Sequence, residues 1–194
     1  ENELMGYPVL AFEDIINIFP PETHEMFLGL SYGSFNKTRK SIFERIRKSG
    51  YCISSINKSK KSTWVDKIGE GSVILDHATI QPGCIVGENV FISPGCLIGH
   101  DTIINDHAFF GPGVITCGNN SVGASAFIGA GTIIGPGVTV ADGAFVGTGA
   151  RIFRDTHHGN AYIERSTLPA KIDLQILSPL LYKNNENRRN RNKS

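Results

Sequence analysis

Six histidines are spread along the chain, at positions 24, 77, 100, 107, 157 and 158, and one of them has neighbours suited to chemistry. His100 is followed by Asp101, a carboxylate able to hold the imidazole in one tautomer and leave its other nitrogen basic. Eighteen residues later stands Gly118, a stretch of backbone without a side chain. Where a fold brings residues 18 apart into register, His100 and the Gly118 backbone lie about 5 Å apart. A base, its orienting acid and a bare N–H are the parts of an acyl transfer, the N–H facing a thioester oxygen. The remaining candidates have plainer readings. His77 reads as a surface residue and His157-His158 as a solvated loop, while Asp106 and Asp142 sit at corners, where Asp favours the turn itself. Cys84 and Cys96 read as packing residues, and Cys117, beside Gly118, has bordering an acyl group as its minority reading.

A repeat supplies the register. Stepping by six from Ile68 meets Ile74, Ile80, Val86, Ile92, Ile98 and Ile104, and the frame runs without a slip to Ile152. Thirteen of these 15 positions are Ile or Val; the exceptions are Phe110 and Thr116. Glycine follows the aliphatic residue at 69, 87, 99, 111, 123, 129, 135 and 147, and is expected to take the turn conformation. The slot four after the aliphatic residue is mostly small, as at Ser72, Ala78, Cys84, Cys96, Thr102, Ala108, Ala126, Thr132, Ala144 and Ala150. A period of six excludes an α-helix, and the Gly, Pro and β-branched content favours short strands joined by tight turns. Three hexads close one triangular coil of 18 residues, so 15 hexads make five coils, a prism roughly 24 Å long. The fold class expected is mainly β, a parallel β-helix.

The flanks differ in character. Residues 1–60 read as mixed α/β: an apolar stretch Tyr7–Leu10, a helix over Glu13–Phe19, a buried strand Met26–Leu30 and a turn at Ser31–Ser34. An amphipathic helix Thr38–Lys48 follows, with Ile42, Phe43 and Ile46 inside and Lys/Arg outside, then a strand Tyr51–Ile56 and a basic, polar linker Asn57–Ser62. Strand, turn, helix and strand make half of a Rossmann-like unit. Residue 1 is Glu and no opening glycine-rich loop precedes this unit, an arrangement expected of a segment from a longer chain. The domains expected are thus 1–60, a solenoid over 61–171, and a C-terminal extension 172–194 whose basic end reads as disordered.

Composition removes several classes of function. A net charge of +1 provides no field for nucleic acid or anionic lipid. No apolar run reaches the roughly 20 residues of a membrane span. Four cysteines without a CxxC pair or the density of a disulfide framework suggest a reducing, cytoplasmic setting.

Gly99-His100-Asp101, Gly111-Pro112-Gly113, Gly118-Asn119 and Ala126-Phe127-Ile128-Gly129 together resemble one branch of the hexapeptide-repeat family. That branch comprises acetyltransferases acting on nucleotide-linked amino sugars or on sialic acid, and the resemblance spans roughly residues 7–171. It implies a left-handed parallel β-helix preceded by a partial Rossmann-like sugar-nucleotide-binding domain. It also implies a homotrimer with active sites between subunits, acetyl-CoA as co-substrate, no metal, and a place in the synthesis of bacterial surface glycans. Carried over by residue, His100 is the general base, Asp101 orients it, and the Gly118 N–H binds the thioester. Asn119 and Pro136 lie along the pantetheine groove, and Leu168-Pro169-Ala170-Lys171 matches a closing element that puts Lys171 near the CoA phosphates. Many members carry a second histidine nine residues after the first; this chain has Phe109 there and His107 two residues earlier, and both are taken as substrate contacts.

Three rivals remain. A sialic acid O-acetyltransferase would use the same base on a hydroxyl. A zinc enzyme of the carbonic anhydrase kind would need a close histidine pairing that His77, His100 and His107 lack. A non-catalytic binding solenoid of the ice-binding kind would present flat rows of threonine, whereas Thr102 and Thr132 are out of line.

Overall fold

Inward-pointing aliphatic residues every six positions leave each two-residue strand too short to stand alone, so coils must stack. In the structure, a computed structural model describing residues 3–30, 33–34 and 36–165, they do so in register. Phe109 pairs with Phe91 and with Phe127, Ile115 with Leu97 and Ile133, and Ser121 with Ile103 and Thr139, all parallel and all 18 residues apart. Three faces result. The first carries Val73–Ile74, Phe91–Ile92, Phe109–Phe110, Phe127–Ile128 and Phe145–Val146. The second carries Leu97–Ile98, Ile115–Thr116, Ile133–Ile134 and Arg151–Ile152, and the third Ile103–Ile104, Ser121–Val122 and Thr139–Val140. The long strand Thr79–Val86 runs around a corner and serves both the second and third faces.

The aliphatic column from Ile74 to Ile152 and the slot residues form one continuous buried core. Slot side chains do more than fill space. Ser72, Cys84, Cys96 and Thr132 each donate to a corner carbonyl 15 residues on, at Gly87, Gly99, Gly111 and Gly147. Burial also pushes the Cys96 thiol up to about 11, which makes it an inert packing group.

The glycines that follow the aliphatic residue do not take the left-handed conformation expected of them. That conformation falls two residues later in every hexad from Gly71 to Gly149, and is held there by His77, Asn89, Asp101, His107, Asn119 and Ser125 as well as by glycines. Gly99 has another purpose: a Cβ on it would lie 2.4 Å from the Gly118 nitrogen in the next coil. Close approach of coils, not turn geometry, requires glycine there.

The N-terminal segment packs along the first coils, from Gly71 to His107. Helix α1 spans Phe12–Ile18 and buries no residue; α2 spans Lys37–Lys48 and buries Phe43 and Ile46 against Leu28, Tyr51 and Ile53. The Met26–Leu30 strand shrinks to one parallel bridge, Met26 to Ile53, with Phe27 and Leu30 half exposed. A parallel pair needs cover on both faces, and α1 contributes only the partly buried Phe12 and Ile15 here. The Tyr51–Ile56 strand likewise reduces to that bridge and Ile56–Asn57, which joins the first face. Residues 57–62 are more than a linker: Ser59 is buried and its hydroxyl donates to the Leu75 carbonyl while accepting the Ala78 N–H.

The expectation that all Lys/Arg of α2 face outward fails at Arg39, which is fully buried. Its guanidinium donates to the carbonyls of Leu28, Leu30 and Gly71 and lies 5.4 Å from the Phe91 ring centre. Burial lowers its pKa to about 10. At the other end, Asp155 and Thr156 accept the N–H groups of Thr139 and Ala141, closing the last coil. These elements belong to one compact unit, Glu1–Glu164. Among the described residues no helix is long and apolar enough to cross a membrane. The extension 172–194, Lys171 and the Leu168–Lys171 element lie outside the described residues.

Arg39→Met leaves two buried carbonyls and one part-buried carbonyl without this donor, and should lower stability by about 2–4 kcal/mol, read as a drop in Tm with the circular dichroism of the folded solenoid retained below it.

Candidate active site

His100 stands where the second face turns into the third, stacked between Pro82 and Gly118, with Pro136 one coil further. The coil ladder fixes this column. Asp101 N–H donates to the Pro82 carbonyl at 3.0 Å, Asn119 N–H to the His100 carbonyl at 2.8 Å, and Gly137 N–H to the Gly118 carbonyl at 3.0 Å.

The side chains follow from the backbone. Asp101 holds a left-handed φ of +54°, which swings its carboxylate back to the preceding residue. Its Oδ2 lies 2.8 Å from His100 Nδ1. An ionised carboxylate only accepts, so the shared proton belongs to Nδ1 and the lone pair to Nε2. Gly83 makes room, since a Cβ there would lie 2.3 Å from Asp101 Oδ1. On the other side, a Cβ on Gly118 would meet His100 Nε2 at 2.8 Å and Cδ2 at 3.0 Å. The imidazole therefore lies against a bare α-carbon, with its side chain 51% exposed. Cys117, Asn119 and Pro136 are exposed on the same stretch.

One expectation is corrected by this geometry. The Gly118 N–H is not bare: it points inward and donates to Asn120 Oδ1 at 3.0 Å, so it is not poised for a thioester oxygen. Two residues that pattern reading passed over are part of the arrangement. Gln81 Oε1 accepts the His100 N–H at 2.9 Å, and Asn120 holds Gly118 from within.

His107 and Phe109 are not brought to this column. His107 occupies the corner between the third and first faces, half-buried under α2. Its Nδ1 is 2.9 Å from Asn89 Nδ2, its ring meets Phe43 edge-on at 5.6 Å, and its carbonyl accepts from the Asn36 side chain. Phe109 is 3% exposed and stacked between Phe91 and Phe127 on the first face. Both have packing roles here. His77 lies in a shallow groove with Lys58, Lys60 and Lys61, and His158 bonds the Asp142 carbonyl in the terminal loop. Among the described residues no group of three or more His, Cys, Asp or Glu side chains is placed to hold a metal ion.

Comparison with known proteins agrees with this architecture. The family model described as bacterial transferase hexapeptide (six repeats) matches residues 67–100 and 84–118. A search of the curated proteins finds no match. Among solved structures, PerB from Caulobacter crescentus, in complex with CoA and GDP-perosamine, superposes with a TM-score of 0.73 at 23% identity, covering 82% of this chain and 77% of that one. The acetyltransferase domain of PglB from Neisseria gonorrhoeae gives 0.73 at 24% identity, covering 83% and 78%. WeeI from Acinetobacter baumannii gives 0.71 at 24%, covering 82% and 76%. At these identities the likeness establishes a shared fold.

Burial, and then the nearby Lys40, hold His107 below its ordinary 6.5. A histidine kept neutral by folding stabilises fully above its unfolded pKa and loses that contribution as pH falls below it. Thermal melts should therefore show wild type losing more stability between pH 7.5 and pH 5 than His107→Asn, a residue equally at ease with the φ of +62° at this corner.

Proposed function

We propose that this chain, whose solenoid carries the bacterial transferase hexapeptide repeat, is an acetyl-CoA-dependent N-acetyltransferase of a nucleotide-linked amino sugar. The observation that carries the reading is the His100–Asp101 pair, with Nδ1 held by the carboxylate and Nε2 lying over a side-chain-free Gly118. Fold neighbours in complex with CoA and GDP-perosamine, and with acetyl coenzyme A, support it.

In this reading His100 Nε2 accepts a proton from the sugar amine as its nitrogen attacks the thioester carbonyl. The C–N bond forms, the C–S bond breaks, and the imidazolium returns the proton to the departing CoA sulfur. The products are an N-acetyl sugar and free CoA. Asp101 holds the ring and stabilises its charged form. Gly118 contributes clearance rather than a donor; the exposed Asn119 amide, on the same corner, faces the thioester oxygen. The pantetheine arm runs past Pro136, and Lys171 meets the CoA phosphates.

The finer features belong to the same proposal: left-handed winding, a partial Rossmann-like segment over 1–60 that meets the nucleotide, and cytoplasmic glycan synthesis. A homotrimer with the site between subunits fits the faces that meet at His100, where Ile85, Leu97 and Ile103 are exposed apolar residues.

The test is thiol release from acetyl-CoA by the protein given UDP-, GDP- and dTDP-linked amino sugars. Turnover on one sugar is expected, with His100→Ala lowering kcat by about 10²–10⁴ while CoA binding persists. Retained activity in the variant removes His100 as the base. Silence of the wild type across amino sugars, with turnover on sialic acid, assigns a hydroxyl acceptor instead. Gly118→Val should displace the ring and obstruct CoA, so calorimetry should show weakened CoA binding where His100→Ala does not.

A further inference from the structure

The column that holds His100 departs from the way the other corners deal with one backbone donor. Two residues after the inward aliphatic, the coil ladder offers the N–H no backbone acceptor, as at Glu88, His100, Gly118 and Ala124. Where proline occupies that position, at 82, 94, 112 and 136, the donor does not exist. At the corner of the third and first faces an aspartate from the next coil accepts it: Asp106 Oδ1 takes the Glu88 N–H at 2.8 Å, and Asp142 Oδ1 the Ala124 N–H at 2.7 Å.

The site column reads Pro82, His100, Gly118, Pro136. Proline is excluded from its two middle positions, one needing an imidazole and the other needing space beneath it. Both N–H groups thus require acceptors, and both find a side-chain amide. Gln81, from the coil before, accepts from His100; Asn120, two residues on, accepts from Gly118.

Asn120 is the more unusual. It is 2% exposed in a core slot that holds Cys84, Thr102 and Val138 in neighbouring coils. Burying an amide there is tolerable because its oxygen and nitrogen are both bonded, Nδ2 donating to the Gly135 carbonyl at 2.7 Å and the Val138 carbonyl at 3.2 Å. It thereby ties Gly118, at a φ of +103°, to the coil above. We infer that Gln81 and Asn120 are positioning residues: Gln81 fixes the main chain of His100, and Asn120 fixes the surface on which its ring rests. The inference rests on His100 being the base of the proposed reaction.

The ring itself reports the effect without any substrate. In the full chain, nitrogen NMR of the His100 imidazole above its titration range should show one tautomer, with the proton on Nδ1. Gln81→Met and Asn120→Val each remove one acceptor and should shift both ring nitrogens toward the averaged values of free histidine. Gln81→Glu, which keeps an acceptor, should restore the wild-type pattern. Should Asn120→Val fail to fold, Asn120→Thr serves, since Thr102 fills the same slot a coil earlier. Asp142→Ala is the control, removing the same kind of acceptor at the other corner. Unchanged ring shifts in the Gln81 and Asn120 variants, or an equal shift in Asp142→Ala, overturn the inference. Where an amino sugar is turned over, kcat should fall about tenfold in both variants with KM within about twofold. A wild type without turnover counts against the acetyltransferase reading, and the ring shifts then decide this inference by themselves.

Discussion

Everything in this molecule hangs on a backbone ladder between residues 18 apart. Each coil lends its carbonyls to the next, and the six-residue hexad sets where the chain turns. That ladder fixes three corners to a common axis, so a side chain at one corner has neighbours dictated by arithmetic. His100 faces Gly118 for the same reason that Phe109 faces Phe127. The geometry around His100 is a by-product of stacking, and needs no loop to be folded into place.

That dependence explains what was readable from residues alone. The hexad frame, the inward column, the small slot and the His100–Gly118 stack all follow from counting, because the structure is nearly one-dimensional there. Arg39 and His107 were not readable, because their surroundings come from α2 docking sideways on the first coils, a contact between segments with no shared period. Arg39 on an amphipathic helix counts as solvated until three carbonyls converge on it. The glycines were half readable: their spacing was evident, but whether a glycine serves a turn or a close approach depends on φ, which spacing does not encode. The direction of the Gly118 N–H fell in the same blind spot.

The three corner solutions show how one backbone problem is met by different chemistry. Proline deletes the donor, aspartate reaches back from the next coil, and an amide is used where the column must stay open. The conformational strain of a left-handed Asp101 is likewise put to use, since that φ turns the carboxylate onto the imidazole.

The ends of the solenoid have a bearing on the centre. Arg39 and the Ile56–Asn57 strand cover the first coil, and Asp155 with Thr156 accepts N–H groups of the Thr139–Val140 corner in the last. In a stack where each layer touches only its neighbours, thermal opening begins at the extremities and must pass through intact layers to reach the middle. His100 and Asn120 occupy interior layers with at least one further coil on either side, whereas Gln81 stands in the first coil. Fraying of the last coil would therefore leave the imidazole where it is, whereas opening of the first coil reaches Gln81 and the main chain it holds.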